Sequence, residues 1–196
     1  MQPGDRWRLA LTAVFVMASL ALVRITVRFV EARHGVTLAD PVLAAFAPID
    51  LNSPIFVLVY GSIGLGIAAL ARTPGRLLLG LQAYGLLMLL RCATLWLVPL
   101  QAPPDMIVLH DPIVRTFLQA QRPAQNDLFF SGHVATTFLL FLLCADGSMK
   151  QLLLVATFLI AVLIALQHVH YTIDLVAAPF FALGSYRAVL LVTRRS

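Results

Sequence analysis

Charged side chains are what this sequence has least of. Asp, Glu, Lys and Arg supply 12% of its residues, about half the share that an ordinary soluble chain carries, while hydrophobic residues supply 60%. A chain so composed cannot cover itself in water, which excludes a soluble globular domain. Cysteine is nearly absent as well. Cys92 and Cys144 each sit inside an apolar run, with neither the density of a disulfide framework nor the CxxC spacing of a metal knuckle. The formal charge of +5 comes from basic residues scattered singly or in pairs between apolar segments. No continuous basic helix or aromatic-interleaved strand is present, so nucleic acid is not an expected partner. Internal repeats and low-complexity tracts are also missing. A short head with Arg6 and Arg8 precedes the first apolar run, as in a secretory signal, but no small-x-small cleavage site follows it. That run is expected to remain as a first helix.

What the sequence does have is a succession of apolar runs. They cover Leu9 to Phe29, Pro54 to Leu70, Leu77 to Leu97, Leu128 to Cys144, Leu152 to Leu166 and Tyr171 to Val192. At 1.5 Å per helical residue these lengths suit a hydrocarbon layer of about 30 Å once interfacial turns are added. The fifth is short and reaches full length only by drawing in Gln167 and His168. The expected fold is therefore all-α, a polytopic membrane bundle of six transmembrane helices in a single integral membrane domain, 1–196. Gly61, Gly64 and Gly66 would permit close helix approach in the second span. Short loops on one side hold positive charge almost alone: Arg6 and Arg8, Arg72 and Arg76, Lys150, and Arg194 with Arg195. The opposite loops mix it with Glu31, Asp40, Asp50, Asp105, Asp111 and Asp127. This bias places both termini in the cytoplasm.

That topology has a chemical consequence. His133 lies near the start of the fourth span, and His168, His170 and Asp174 straddle the junction of the fifth and sixth. One span in and one span back returns the chain to the same face, so these polar groups are expected to converge there. Imidazoles and a carboxylate cost several kcal/mol in lipid unless paired or solvated. His170 and Asp174, four apart, share a face at a helical start and can pair. On spacing alone this HxxxD reads more readily as a structural helix contact than as a catalytic or metal-binding pair. His168, His170 and Asp174 might together offer N, N and O ligands to zinc, but His-x-His suits a strand or turn better than one helix face, and spacing fixes no further ligand. Ser131 is not in a GxSxG elbow; it suits a helix cap whose backbone N–H groups favour phosphate. His34 and His110 read as isolated, solvent-facing loop residues.

Asn126 to Thr136 reads NDLFFSGHVAT and Gln167 to Leu175 reads QHVHYTIDL. These resemble the second and third signatures of the type 2 phosphatidic acid phosphatase superfamily, in particular its sphingomyelin synthase branch. Arg91 to Pro104, RCATLWLVPLQAPP, resembles the earlier Arg, Thr and proline-rich signature of that branch. The resemblance runs over about 77–190, the expected catalytic core, and the first two spans carry no specific motif. It implies that His170 attacks phosphorus and becomes a phosphohistidine, that Asp174 holds its other ring nitrogen, and that His133 protonates the leaving alcohol. It also implies a phospholipid or other lipid phosphate as substrate, with a lipid alcohol or water as acceptor, and no metal or cofactor. Candidate substrate-binding residues are Arg91, Arg115, Arg122, Asp127, Ser131, Gly132, His168 and Tyr171.

One departure matters. The broader family commonly has Ser-Arg seven and six residues before the nucleophilic His, where this chain has Leu163 and Ile164. The absence favours the synthase-like branch and leaves Arg91, or the Arg115 and Arg122 pair with its KxxxxxxRP-like spacing ending at Pro123, as the phosphate clamp. The expected function is transfer of a phospho-head group from a phospholipid to a lipid alcohol. Hydrolysis of phosphatidic acid or a polyprenyl phosphate is the alternative. A noncatalytic scaffold or transporter, with His and Asp holding a polar helix junction, is the reading from another class. The membrane is expected to be a bacterial inner membrane or an organellar one, with the site on the periplasmic or lumenal side.

Overall fold

The structure, a computed structural model, describes residues 3–112, 125–145 and 147–193. Among them there are no strands and six α-helices: α1 (Pro3–Glu31), α2 (Asn52–Ala71), α3 (Pro74–Leu97), α4 (Gly132–Leu143), α5 (Ser148–Leu166) and α6 (Thr172–Thr193), with a short 3-10 turn at Leu43–Ala45. Five of these helices, all but α4, are long and apolar enough to cross a membrane. Their outward faces carry large apolar side chains, among them Val14, Met17, Val57, Phe158 and Phe180. So continuous an apolar exterior suits lipid rather than water. By length, composition and surface this is an integral membrane protein.

The fourth run differs from the sequence expectation. Only 12 of its residues are helical, about 18 Å of rise, because Leu128 to Ser131 enter the bundle as irregular backbone. Non-helical backbone at that depth is tolerated only where protein satisfies its polar groups. Here Arg91 donates to the carbonyls of Asp127 and Phe130, and the Ser131 N–H donates to the Asp174 carbonyl at 3.3 Å. The six expected spans thus stand as five long helices and one short helix with a buried, unwound lead-in. The fifth run needs no help from Gln167 and His168. It starts earlier, at Ser148, and has 19 residues.

α2 and α3 form a hairpin through Arg72 and Thr73, with Pro74 at the first position of α3, where its missing N–H costs nothing. α1 packs along α3, α4 lies against α5 and α6, and α3 also meets α6. The shared core includes Ile55, Val59, Leu87, Phe130, Val134, Leu139, Ile160 and Ile164, with Ala135, Ala178 and Ala182 letting backbones come close. Lipid is as apolar as this core, so its cohesion comes from close van der Waals packing rather than from escape from water. Of the three glycines singled out in α2, Gly66 is the one at a helix contact. A Cβ there would sit 2.8 Å from Leu140 of α4, whereas Gly61 and Gly64 face open space. Hydroxyls inside the helices bond back to the preceding turn: Ser19 to Phe15, Thr157 to Leu153 and Ser185 to Phe181.

The helix ends divide into two faces. At one, the α2–α3 turn meets the α4–α5 connection, where Thr73 and Arg76 share a small cavity with Cys144 and Gly147. At the other lie the ends of α1, α3 and α5 and the starts of α2, α4 and α6. There a second apolar cluster of Leu43, Leu100, Leu128 and Tyr171 closes over the bundle.

Candidate active site

The α5–α6 connection is five residues long and almost wholly buried. α5 ends at Leu166, and His168 takes a positive φ of 56°, which turns the chain so that α6 starts at Thr172. Asp174, in the first turn of α6, is fully buried. Its Oδ2 lies 3.2 Å from His170 Nδ1 and accepts the Tyr171 N–H at 3.3 Å. In the neutral ring a buried carboxylate opposite Nδ1 favours the proton on that nitrogen, which leaves Nε2 its lone pair.

α4 delivers the second imidazole. Ser131 caps the helix by accepting the Val134 N–H at 3.5 Å, and His133 follows two residues later with Phe56 edge-on at 6.0 Å. Ser131 is itself fully buried, so its role in this geometry is the cap.

Arg91 of α3 joins the two. Its guanidinium is 5% exposed and lies against Gly132, where a Cβ would stand 3.4 Å from Cζ. Nη2 donates to the Asp127 carbonyl at 3.1 Å and is 2.8 Å from the Asp127 carboxylate. The carboxylate Oδ1 makes no aligned hydrogen bond, so its contribution is charge. Nη1 donates to the Phe130 carbonyl, and the guanidinium stands over the Phe130 ring at 5.4 Å. Such a fork fixes the backbone ahead of α4 from two sides.

Arg91, Asp127, Gly132, His133 and His170 line one cavity of about 640 Å³. Tyr60 and Asp111 stand at its polar end, with the Tyr60 hydroxyl donating to Asp111 at 2.6 Å. The rest of the lining is largely apolar, including Val23 of α1, Val59 and Ile63 of α2, and Met88 of α3, with His110, Gln125 and Thr136 among it. The structure therefore brings together His133, His170, Asp174, Arg91, Asp127 and Gly132. His168 and Tyr171 do not line the cavity. His168 faces the Pro104 carbonyl at 3.4 Å and the edge of Phe46, away from a common point with His170 and Asp174. Among the described residues no three His, Cys, Asp or Glu side chains form a metal-ligand group. The Tyr171 hydroxyl donates to Gln101 O at 2.9 Å and accepts the Leu38 N–H at 3.1 Å. Arg115 and Arg122 lie outside the described residues. His110 is exposed, as expected, yet reaches the cavity rim.

Several contributors carried no signal in the sequence. Tyr60 is one of several aromatics in an apolar run. Glu31, at the end of α1, accepts the backbone N–H groups of Gln125 and Asn126 at 2.8 and 2.6 Å, and so anchors the strand of chain leading to Asp127. Gln167 is fully buried; its side chain accepts the Leu51 N–H at 2.8 Å and donates to Ile107 O at 3.1 Å. Tyr60 and Glu31 belong to no recognisable motif, and Gln167 only opens the QHVHYTIDL segment; each acts on groups distant in sequence.

A buried imidazole, a half-buried one, a carboxylate and a held guanidinium around a largely apolar cavity define a membrane site suited to phosphoryl chemistry. Residues 126–189 match the family model described as PAP2 superfamily C-terminal. The match covers α4, α5 and most of α6 and supports membership of the type 2 phosphatidic acid phosphatase superfamily, whose members are phosphatases or phosphotransferases. It points to a lipid phosphatase or phosphotransferase type of activity. No curated protein matches the chain, and no solved structure matches it.

Proposed function

We propose that this protein is a sphingomyelin synthase-like lipid phosphotransferase, which moves a phospho-head group from a phospholipid to a lipid alcohol through a phosphohistidine at His170. The observation that carries this reading is the mixed lining of one cavity, which Arg91, His133 and His170 share with apolar side chains of α1, α2 and α3. An amphiphile fits such a space with its phosphate at the histidines and its tails toward lipid.

In the first half-reaction His170 Nε2 attacks phosphorus. The N–P bond forms as the P–O bond to the diacylglycerol oxygen breaks, and His133 gives that oxygen its proton. Asp174 stabilises the positive charge that develops on the His170 ring. Arg91 and the amino end of α4 at Gly132 face the phosphoryl oxygens, with Asp127 holding Arg91. In the second half-reaction the acceptor alcohol gives its proton to His133 and attacks phosphorus, and the N–P bond breaks. His168 and Tyr171 hold the turn from behind. Arg115 and Arg122 remain candidates for further phosphate contacts.

Water attacking the same intermediate gives hydrolysis. The polar rim of Tyr60, His110, Asp111 and Gln125 favours that second reading, since it offers water a path. Product balance separates the two. In vesicles with a cleavable phospholipid and ceramide or diacylglycerol as acceptor, diacylglycerol release is expected to be matched by a head-group-bearing lipid product. Stoichiometric inorganic phosphate from phosphatidic acid or a polyprenyl phosphate, with no acceptor-dependent product, would establish the phosphatase.

We further propose that α4 completes six crossings, with both termini cytoplasmic and the site on the periplasmic or lumenal side of a bacterial inner membrane or an organellar membrane. Loop charge supports this orientation. Cysteines introduced at 105–112 should react with an impermeant reagent from outside and those at 147–150 should not. The reverse pattern inverts the topology.

A further inference from the structure

The connection between α1 and α2 holds none of the motifs that suggest chemistry, yet it lies across the backbone that presents the site. Val36 pairs with Pro99 O and Gln101 N at 2.9 and 3.0 Å, and Ile49 N–H donates to Leu166 O at 2.9 Å. Gly35 is pressed so close that a Cβ would stand 2.5 Å from the Leu100 carbonyl carbon. In the middle of this strap is Asp40. Its Oδ2 accepts the Thr172 N–H at 2.6 Å and its Oδ1 accepts the Thr172 hydroxyl at 3.0 Å. Oδ1 also takes the N–H groups of Val42 and Leu43 at 3.0 and 3.2 Å, which fixes the carboxylate from its own side.

Thr172 is the first residue of α6, two positions after His170 and two before Asp174. The residue before it, Tyr171, has no short side chain that can reach back to cap the helix, and its hydroxyl is committed to Gln101 and Leu38. α6 therefore takes its cap from a residue 132 positions away, a carboxylate at the amino end where the helix dipole favours negative charge. Burial opposes ionisation of Asp40, but the Thr172 N–H and hydroxyl together with the Leu43 and Val42 N–H groups outweigh it and hold the carboxyl below its ordinary value.

We infer that Asp40 is a positioning residue for the His170–Asp174 pair: by gripping Thr172 through both its N–H and its hydroxyl, it sets the angle of the α6 first turn and so the aim of His170 into the cavity. The inference rests on the catalytic reading above for its kinetic part and on geometry alone for the cap. A misplacement of about 1 Å at a reacting group can cost on the order of a hundredfold in rate.

The test uses the full-length protein in lipid and has two arms. In the first, Asp40→Ala should lower kcat by about 10- to 100-fold and change KM by no more than about threefold. Asp40→Asn keeps one acceptor oxygen but turns an NH2 donor toward the remaining N–H groups, so it should recover only part of that loss. In an Asp174→Asn background, where orientation is already lost, Asp40→Ala should add no further decrease in kcat. An additive loss, a change confined to KM, or an Asn variant equal to the wild type overturns the positioning role. In the second arm, amide hydrogen exchange should accelerate over 168–176 in Asp40→Ala and stay unchanged over 132–143. Unchanged exchange at 168–176 overturns the cap whatever the activity. A wild-type protein that turns over no phospholipid overturns the catalytic reading instead, and the exchange arm still decides whether Asp40 orders this turn.

Discussion

His133 reaches the cavity from α4 and His170 from the turn that joins α5 to α6, with Asp174 behind it in the first turn of α6, in a stretch of chain where sequence spacing and chemistry go together. Arg91, Tyr60 and Val23 reach the same cavity from three separate helices, and Glu31 at the end of α1 and Asp40 in the α1–α2 connection act on its surroundings through backbone groups. In the proposed reaction the carboxy-terminal half carries the groups that would exchange protons and bonds with phosphorus, and the amino-terminal half holds them in place and adds Arg91. Chemistry restricts residue type strongly, because only an imidazole or a comparable base can do that work at neutral pH. Holding restricts it weakly, because any donor or acceptor that reaches the right backbone atom will serve. The family match, over 126–189, covers the first group, His133, His170 and Asp174, and not Arg91.

Substitutions in the two halves should therefore differ in size and kind. The largest losses belong to the His170–Asp174 pair. His170→Ala and Asp174→Asn should each lower turnover at least about a thousandfold in reconstituted membranes while the protein keeps its helical content and thermal transition. His133→Ala comes next, at about 10²- to 10⁴-fold. Its loss should shrink when the donor carries a leaving group of low pKa, because such an oxygen departs without a proton. Smallest of the three is Arg91→Lys from the amino-terminal half, at about 10- to 100-fold. A lysine keeps the charge but cannot hold the carbonyls of Asp127 and Phe130 as a fork does. Steady-state rates on one phospholipid donor would rank all four variants. An Arg91→Lys loss as deep as that of His170→Ala would erase the distinction between the halves.

Much of the fold was legible, and the reasons for the misses are physical. Apolar run length found all six helices, because hydropathy integrates over many residues and the bilayer fixes the length required. It could not see that Leu128 to Ser131 are unwound. Leu128 to Phe130 are as apolar as a helix would want, and the carbonyls of Asp127 and Phe130 are taken by Arg91, 36 and 39 positions earlier. Ser131, which reads as a helix cap, is the sequence's sign that the helix starts after it. The gathering of His133 with His170 followed from counting crossings and from the FSGH and HYTID patterns together. Tyr60 and Asp111 were not legible as a pair, since nothing in an apolar run marks one tyrosine among several aromatics. The core expected over 77–190 likewise omits Glu31, Asp40 and Tyr60, whose roles exist only once the loops are folded across the helix ends.

Covalent trapping tests the reaction most directly. The reconstituted protein would be mixed with a phospholipid labelled at its phosphate, quenched at alkaline pH to preserve an N–P bond, and digested for mass spectrometry. Label is expected on the peptide that contains His170, absent in His170→Ala, and discharged when a lipid alcohol is added before the quench. Turnover with no label on His170, or label on His133 or a serine in its place, would contradict the mechanism.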